Sequence, residues 1–235
     1  MRLSTPAAPS TASRSSSPVN GGGSAPLISP CEAGGVPAKP GRGARLALFL
    51  LALPATAIAA SCNPADLPAG HYRLDPAHTS VIARVRHLGV SNYVVRFDKV
   101  EGDFNWDPAH PETTKLQASV DVTSLDVGAD YSRKFADEFL NARTFTQATF
   151  VATSLTPSAD GKTGTLSGDL TMMGVTKPVS FDVTFVGVSH GLPFGTLAGF
   201  SATTTIRRSD FGSRYVLAFV GDEVSLDIEA EFDRK

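Results

Sequence analysis

The chain has 235 residues, of which 42% are hydrophobic and 19% are charged, a composition that supports one ordinary packed domain or two small ones. The formal net charge of −2 gives no basic footprint, so the sequence excludes a typical nucleic-acid-binding protein. Charge is unevenly spread: residues 1–59 carry five Lys or Arg against one acid, and residues 60–235 carry 16 Lys and Arg against 22 Asp and Glu. We therefore expect the two parts to have different fates.

The first 59 residues are predicted to direct export. Residues 1–41 are rich in Ser, Pro, Gly and Ala, which indicates a disordered leader or a start codon assigned too far upstream. Residues 42–59 combine a basic flank, a short apolar run and small residues at the exit, which predicts a signal peptide cleaved near Ala59. The run is interrupted by Pro54 and is shorter than the ~20 residues that span a bilayer. We expect the mature protein in the periplasm or secreted.

Cleavage near Ala59 would leave a linker at residues 60–69 and one domain at residues 70–235. The mature chain would then contain a single cysteine, Cys62, so its core must hold by packing without an internal disulfide. An N-terminal lipidated Cys62 is the alternative to an inert thiol in a flexible segment.

Most of the mature chain shows period-two alternation, the pattern of strands with one apolar and one wet face. About eight such strands in one domain predict a closed antiparallel barrel or a sandwich. The predicted inward faces are Val81, Ala83, Val85 and His87; Leu116, Ala118, Val120 and Val122; Leu166, Gly168, Leu170 and Met172; Val179, Phe181, Val183 and Phe185; Ala198, Phe200, Ala202, Thr204 and Ile206; and Val224, Leu226, Ile228, Ala230 and Phe232.

One stretch changes parity. Val95 and Phe97 share one parity, whereas Val100, Phe104 and Trp106 share the other. One extra residue restores the register, so the sequence predicts a β-bulge between the two groups, near position 98.

A second stretch departs from the strand pattern altogether. Residues 129–142 place Phe135, Phe139 and Leu140 at i, i+4 and i+5, with charged residues elsewhere around the wheel. This spacing predicts a short amphipathic helix. In an all-β body we expect the helix to lie across a barrel mouth or against the sheet.

Groups that could carry catalysis are sparse. The five histidines lack the spacing of a zinc site, and there is no nucleophile elbow or phosphate loop. The carboxylate pairs Asp137/Glu138 and Asp222/Glu223 lie in polar stretches and are expected to be solvated. The sequence therefore predicts no enzyme, no metal and no cofactor.

His87 is the one histidine on an apolar strand face. It could bond the polar head of a ligand inside a barrel, or a neighbouring backbone or carboxylate group, as buried polar side chains usually do.

The aromatic content leaves two interiors open. The mature part carries thirteen phenylalanines and Trp106, and alanines or glycine occur on the same predicted faces. Such alternation of small and large residues fills a tapering core or leaves an apolar slot, because a barrel of ~8 strands is just wide enough for either.

Several motifs resemble those of the YceI-like polyisoprenoid-binding family. The opening HYRLDPAHTS at residues 71–80 is followed by VRHLGVS at residues 85–91. GDLTMMGVTKPV at residues 168–179 is similar to the central signature of that family, and RRSDFG (207–212) and VGDEVSL (220–226) follow in the expected order. The resemblance covers residues 70–233, essentially the whole predicted domain.

The resemblance implies an all-β, extended antiparallel lipocalin-like barrel, exported, with one short amphipathic helix near a barrel mouth. It further implies a non-enzymatic carrier or buffer that holds an isoprenoid lipid of the quinone or polyprenol type, as a bound ligand and not a cofactor. Contact with a membrane or with membrane redox proteins is the expected partner interaction, and the oligomeric state, including a homodimer, stays open. The predicted ligand-binding residues are Val85, His87, Phe97, Phe104, Trp106, Phe135, Phe139, Phe150, Met172, Phe181, Phe185, Phe200 and Ile206.

Two other classes of function remain open at this point. An enzyme could act on a lipid held in the barrel, with His87 as acid or base. A structural or stress-related module would have a solid core and no ligand.

Overall fold

Twelve β-strands and one α-helix organise residues 59–191 and 195–235, which are the residues that the computed structural model describes. The predicted leader (1–41) and signal peptide (42–59) lie outside these residues, apart from Ala59. The elements are β1 (Ala59–Ser61), β2 (Gly70–Leu74), β3 (Ser80–His87), β4 (Ser91–Phe97), β5 (Val100–Trp106), β6 (Lys115–Asp121), β7 (Leu125–Asp126), α1 (Ser132–Leu140), β8 (Gln147–Pro157), β9 (Thr163–Met172), β10 (Val175–Gly191), β11 (Gly195–Arg207) and β12 (Val220–Arg234).

Eight antiparallel strands close into a barrel. The pairing runs from β10 through β9, β8, β6, β5, β2, β12 and β11 back to β10, so the sheet returns to its first strand. The long β12 pairs with β2 near its end and with β3 nearer its start, and β3, β4 and β7 extend the wall beyond β2, β5 and β6. The predicted closed antiparallel barrel is confirmed over the sandwich.

Two neighbouring wall strands are interrupted at the same level. Asp98 and Lys99 separate β4 from β5, and a 3-10 turn at Val122–Ser124 separates β6 from β7. The backbone N–H groups of Asp98 and Lys99 both donate to Ser124 Oγ, at 3.2 and 3.0 Å. Residues of opposite parity on either side of Asp98 face the interior, as the predicted change of register requires.

One end of the barrel is filled by interlocked aromatic rings, which we call the plug. The Tyr72 and Phe104 rings stack with centroids 4.9 Å apart, and Phe104 meets Phe232 and Phe200 edge-on at 4.9 and 5.6 Å. Phe185 packs against Phe200 at 5.5 Å. Edge-to-face pairs of this kind favour a fixed packing, so this end of the barrel has a solid core.

The segment predicted as a linker, residues 60–69, packs beneath the plug. Leu67 is only 1% exposed, and its carbonyl accepts a hydrogen bond from Trp106 Nε1 at 3.2 Å. The Tyr72 hydroxyl donates to the Pro68 carbonyl at 2.7 Å. These contacts join the segment to the barrel. The prediction of a single thiol at Cys62 concerns the chain cleaved near Ala59 and stays a prediction.

The predicted amphipathic helix is confirmed as α1, within residues 129–142, at the end of the barrel opposite the plug. It ends at Asn141, which takes the left-handed conformation (φ 48°) that favours Asn as a helix C-cap. Its Phe135, Phe139 and Leu140 face the barrel interior, so the helix lies at the mouth. No helix among the described residues has the length and apolar character needed to cross a membrane.

Candidate functional site

A cavity of about 610 Å³ occupies the barrel between the plug and α1. This volume lies within the ~300–1,000 Å³ typical of small-molecule sites. The inward faces predicted from alternation form most of its wall. Twelve of the thirteen predicted ligand-binding residues line it: Val85, His87, Phe97, Phe104, Trp106, Phe135, Phe139, Phe150, Met172, Phe181, Phe200 and Ile206.

The cavity is long and narrow. Along β12 its lining extends from Val220 to Phe232, which is about 40 Å of strand at ~3.3 Å per residue. With the tilt of ~35–45° usual for barrel strands, its axial length is about 30 Å. A volume of about 610 Å³ lined over this length has room for a hydrocarbon chain, because carbon atoms in contact lie ~3.5–4.0 Å apart.

Small inward residues play two different roles. Ala83, Ala118 and Ala202 line the open cavity, where their small side chains leave room. At Gly168, by contrast, the Phe150 ring occupies the space in which a Cβ would stand. Both interiors left open by the sequence are therefore present, an open slot beside α1 and filled layers elsewhere.

Phe185 is the predicted site residue that the structure places elsewhere. It shares its parity with Phe181 but lies within the plug, 7% exposed, against Phe200 and Val188. Phe185 is therefore not among the residues that line this cavity, and its contact with a ligand stays a prediction. Alternation identifies the inward face of a strand but not the depth at which the core closes.

Polar side chains concentrate at the mouth of the cavity. His87 ends β3 there, with its ring 6.2 Å from that of Tyr93. Among the described residues none hydrogen-bonds the His87 ring, and both interpretations of this side chain stay predictions. Burial and a hydrogen bond with Tyr131 raise the pKa of Tyr93 to about 12. The mouth thus presents phenol and imidazole groups beside an apolar bore.

Arg208 is a buried cation at this mouth. It is 5% exposed, and its guanidinium donates to three carbonyls, those of Gly221 and Val220 at 2.8 Å and of Ser213 at 3.1 Å. Its Cζ lies 5.5 Å from the centre of the Phe139 ring. Burial lowers the pKa of Arg208, and the field of Asp222 opposes that shift. Arg208 therefore fixes both ends of the loop at residues 213–220 while lining the cavity.

Several mouth residues were missed by sequence reasoning. The cavity lining also includes Tyr93, Arg208, Tyr215, Val216 and Phe219. The last three belong to an apolar run, YVLAF at residues 215–219, that lies outside any strand. Such a run in a loop is the signal that could have identified this side of the mouth.

Two carboxylates expected to be solvated are largely covered. Asp137, with a side chain 13% exposed, pairs with Arg143 at 2.9 Å. Asp222 accepts hydrogen bonds from the Ser209 hydroxyl and backbone N–H, which lower its pKa, and from Arg207 Nε at 3.1 Å. Both are engaged in holding local structure, so the expectation of free, solvated pairs is corrected.

A separate group of Asp75, His78 and Glu231 brings three potential metal ligands within 4.8 Å of one another. His78 Nδ1 lies 2.7 Å from Asp75 Oδ2. This hydrogen bond raises the pKa of His78 and lowers that of Asp75. The group lies outside the cavity, and its contacts are those of a hydrogen-bonded turn.

Comparison with known proteins agrees with this architecture. A UPF0312 protein of Shewanella baltica is 37% identical over 177 residues, covering 73% of this chain and 92% of its own. The crystal structure of Burkholderia cenocepacia BcnA has a TM-score of 0.60 and 27% identity, covering 67% of this chain and 98% of its own. A polyisoprenoid-binding domain from Saccharophagus degradans shares the fold, with a TM-score of 0.53, 14% identity, and coverage of 70% and 98%. Residues 72–232 match the YceI-like domain, and the chain belongs to the YceI-like family.

Proposed function

We propose that this protein binds one isoprenoid lipid in the barrel cavity and acts as its carrier or buffer. The observation that carries this proposal is the cavity itself, a volume of about 610 Å³ whose mainly apolar lining extends from the mouth to the plug. The fold is shared with a domain described as polyisoprenoid-binding. A single hydrocarbon chain suits such a cavity, and a polar head suits the region of His87 and Arg208.

The energetics favour exchange over permanent capture. Burial of hydrocarbon from water gains ~0.8 kcal/mol per CH₂, so a long tail would saturate any affinity if water were its source. In a cell the tail comes from a bilayer, which is already apolar, so the net gain on transfer is much smaller. The fit of chain to bore must then provide selectivity, and a near-balanced transfer permits both uptake and release.

The test compares two phenylalanine substitutions on adjacent residues of β11. Ala202→Phe would place a ring across the bore, whereas Thr203→Phe would place the same ring on the exposed outer face. Full-length protein purified without detergent is extracted with organic solvent, and the extract is analysed by mass spectrometry. We expect isoprenoid lipid in wild type and in Thr203→Phe but not in Ala202→Phe. Equal lipid in both variants, or none in wild type, would refute the proposal.

We propose binding in preference to catalysis because the cavity presents a single imidazole, with no carboxylate hydrogen-bonded to it among the described residues. Incubating the loaded protein and repeating the mass spectrometry distinguishes the two classes. An unchanged lipid supports the carrier, whereas a product that disappears with His87→Ala would establish an enzyme.

Export of the mature chain is part of this proposal, because the basic flank, apolar run and small-residue exit of residues 42–59 are typical of a signal peptide. Cell fractionation with N-terminal sequencing tests it. We expect the mature protein outside the cytoplasm, beginning near Ala60, and an intact N-terminus in the cytoplasmic fraction would contradict export.

A further inference from the structure

Exposed apolar side chains concentrate around the mouth of the cavity. The described residues include nine large hydrophobic side chains that are exposed, and six of them fall in two short segments. We call these segments, residues 88–90 and 214–219, the mouth rim. The six are Leu88, Val90, Tyr215, Val216, Leu217 and Phe219. A cluster of this kind on a protein surface marks an interaction site, unlike the isolated exposed residues Val94 and Val151.

The two segments form one ordered surface. The Leu88 backbone N–H donates to the Phe219 carbonyl at 2.7 Å, and the Val216 carbonyl accepts from the N–H groups of Phe219 and Val220, both at 2.9 Å. Arg208 holds the loop at both ends through its carbonyl contacts. The apolar side chains of the mouth rim are therefore presented outward by a bonded backbone.

The charge of this surface differs from that of the rest of the domain. Residues 60–235 have six more acids than bases, yet residues 86–92 and 213–219 contain Arg86 and Arg214 and no carboxylate. Neither arginine forms an ion pair with any described residue. Asp222, beyond the loop, is already bonded to Arg207, and Glu138, which lines the mouth on α1, lies 3.7 Å from Lys134. An apolar surface flanked by unpaired cations complements a membrane that contains anionic lipids.

The mouth rim is continuous with the cavity. Tyr215, Val216 and Phe219 belong to both, and His87 and Val220 follow directly inside. A hydrocarbon chain that left a bilayer for the cavity would cross water unless this mouth lay against the membrane. Docking through the mouth rim would provide an apolar path for the whole transfer.

We propose that the mouth rim docks onto the surface of a bilayer containing anionic lipid, with its apolar side chains in the interface and Arg86 and Arg214 facing the head groups. The inference rests on the proposed lipid-carrier function and identifies the membrane surface as the place where the lipid is taken up and released. The partner of the mouth rim is the bilayer itself, because the apolar residues, the cations and the cavity entrance all lie on one face of the protein.

The test measures partition of the full-length protein onto vesicles of phosphatidylcholine, with and without phosphatidylglycerol. Leu88→Asn/Phe219→Ser removes two apolar side chains of the mouth rim, and Asn suits the left-handed backbone at Leu88 (φ 52°). We expect this variant to lose about tenfold or more in partition, because burial of each side chain in the interface is lost. The matched control Val94→Ser/Val151→Ser removes two exposed apolar residues elsewhere and should partition like wild type.

A second variant, Arg86→Gln/Arg214→Gln, should lose the preference for phosphatidylglycerol vesicles while keeping weak binding to phosphatidylcholine. The lipid content of each purified protein, measured by mass spectrometry, separates this inference from the proposed function. Wild type that contains lipid but binds neither vesicle would overturn docking alone. Wild type that binds vesicles through the mouth rim but contains no lipid would overturn the carrier alone. Self-association that requires the mouth rim, without vesicle binding, would assign the surface to a second copy and refute docking.

Discussion

Removal of the Arg208 guanidinium should destabilise the barrel mouth more than any single surface change. The side chain donates to the carbonyls of Ser213, Val220 and Gly221, and these three acceptors belong to one loop and the start of β12. Arg208→Gln leaves most of these acceptors without a protein donor. The substitution therefore tests whether one residue holds the mouth rim in place.

The magnitude follows from the number and type of hydrogen bonds lost. A hydrogen bond that involves a charged group contributes a net ~1.5–3 kcal/mol, so three independent bonds would give about 4.5–9 kcal/mol. Bonds to one side chain are not independent, and water entering from the mouth would satisfy part of the loss. We expect the free energy of unfolding to fall by about 3–5 kcal/mol, a large share of the ~5–15 kcal/mol typical of a domain.

Arg208→Lys separates charge from geometry. Its ammonium keeps the positive charge over the Phe139 ring but cannot reach three carbonyls with the planar fork of a guanidinium. We expect an intermediate loss of stability. Denaturant unfolding, compared at equal m-values, gives the free energies, and vesicle partition reports the mouth rim separately.

Two results would refute this reasoning about Arg208. If Arg208→Gln lay within ~1 kcal/mol of wild type, the three carbonyl contacts would not stabilise the fold. If Arg208→Lys matched wild type, the positive charge alone would account for the effect and the fork geometry would be irrelevant.

Two further predictions address packing and pH. Gly168→Ala should lower the free energy of unfolding by about 3 kcal/mol, because its Cβ would overlap the Val151 backbone carbonyl oxygen as well as the Phe150 ring. Gly199→Ala, with only ordinary van der Waals contact, should be tolerated, and thermal melts of the two variants check this. His78→Gln should lower the free energy of unfolding mainly between pH 3.8 and 6.5, the ordinary pKa values of Asp and His. The raised pKa of His78 stabilises the fold below pH 6.5, and this stabilisation is lost as the pH rises through the folded pKa of His78. The lowered pKa of Asp75 stabilises the fold above pH 3.8. Unfolding of His78→Gln and wild type across that pH range measures the difference, and an equal loss at alkaline pH would contradict the linkage.

The strands and their inward faces could be predicted from sequence, because apolar and polar residues alternate along a strand with one wet face, although this alternation left both a barrel and a sandwich open. On β3 the inward side chains alternate with arginines, and Arg84 forms an outward ion pair with Asp227 at 2.8 Å. The same period of two, with its shift near Asp98, identified residues on both sides of the break in the wall. Local patterning of this kind is imposed by the sheet itself and needs no knowledge of the rest of the chain.

The level of each inward side chain along the barrel axis could not be predicted in the same way. Phe181 and Phe185 have equal parity on β10, yet Phe181 faces the cavity and Phe185 belongs to the plug. The difference depends on Tyr72 and Phe232, whose strands are brought to that level only by closure of the sheet. Long-range packing of this type leaves no periodic signal in one strand.

The mouth was also incompletely predicted. Helix α1 was expected from its spacing of phenylalanines, but the loop at residues 213–219 has neither helical nor strand periodicity. Arg208 is in sequence one of two adjacent arginines, and only the structure shows that Arg207 bonds Asp222 outside while Arg208 is buried. A sequence pattern cannot distinguish two neighbouring cations when the turn between strands decides which one enters the core.

The plug gives the proposed carrier a fixed depth and leaves the other end of its ligand free. A chain entering through the mouth would stop at the interlocked rings of Phe104 and Phe232, about 30 Å from the entrance. A chain of that length would place its head beside His87 and Arg208. A longer chain would fill the same bore and leave its head outside, at the mouth rim, where a docked bilayer offers an environment for it. The geometry therefore selects for the width of the tail and tolerates variation in its length.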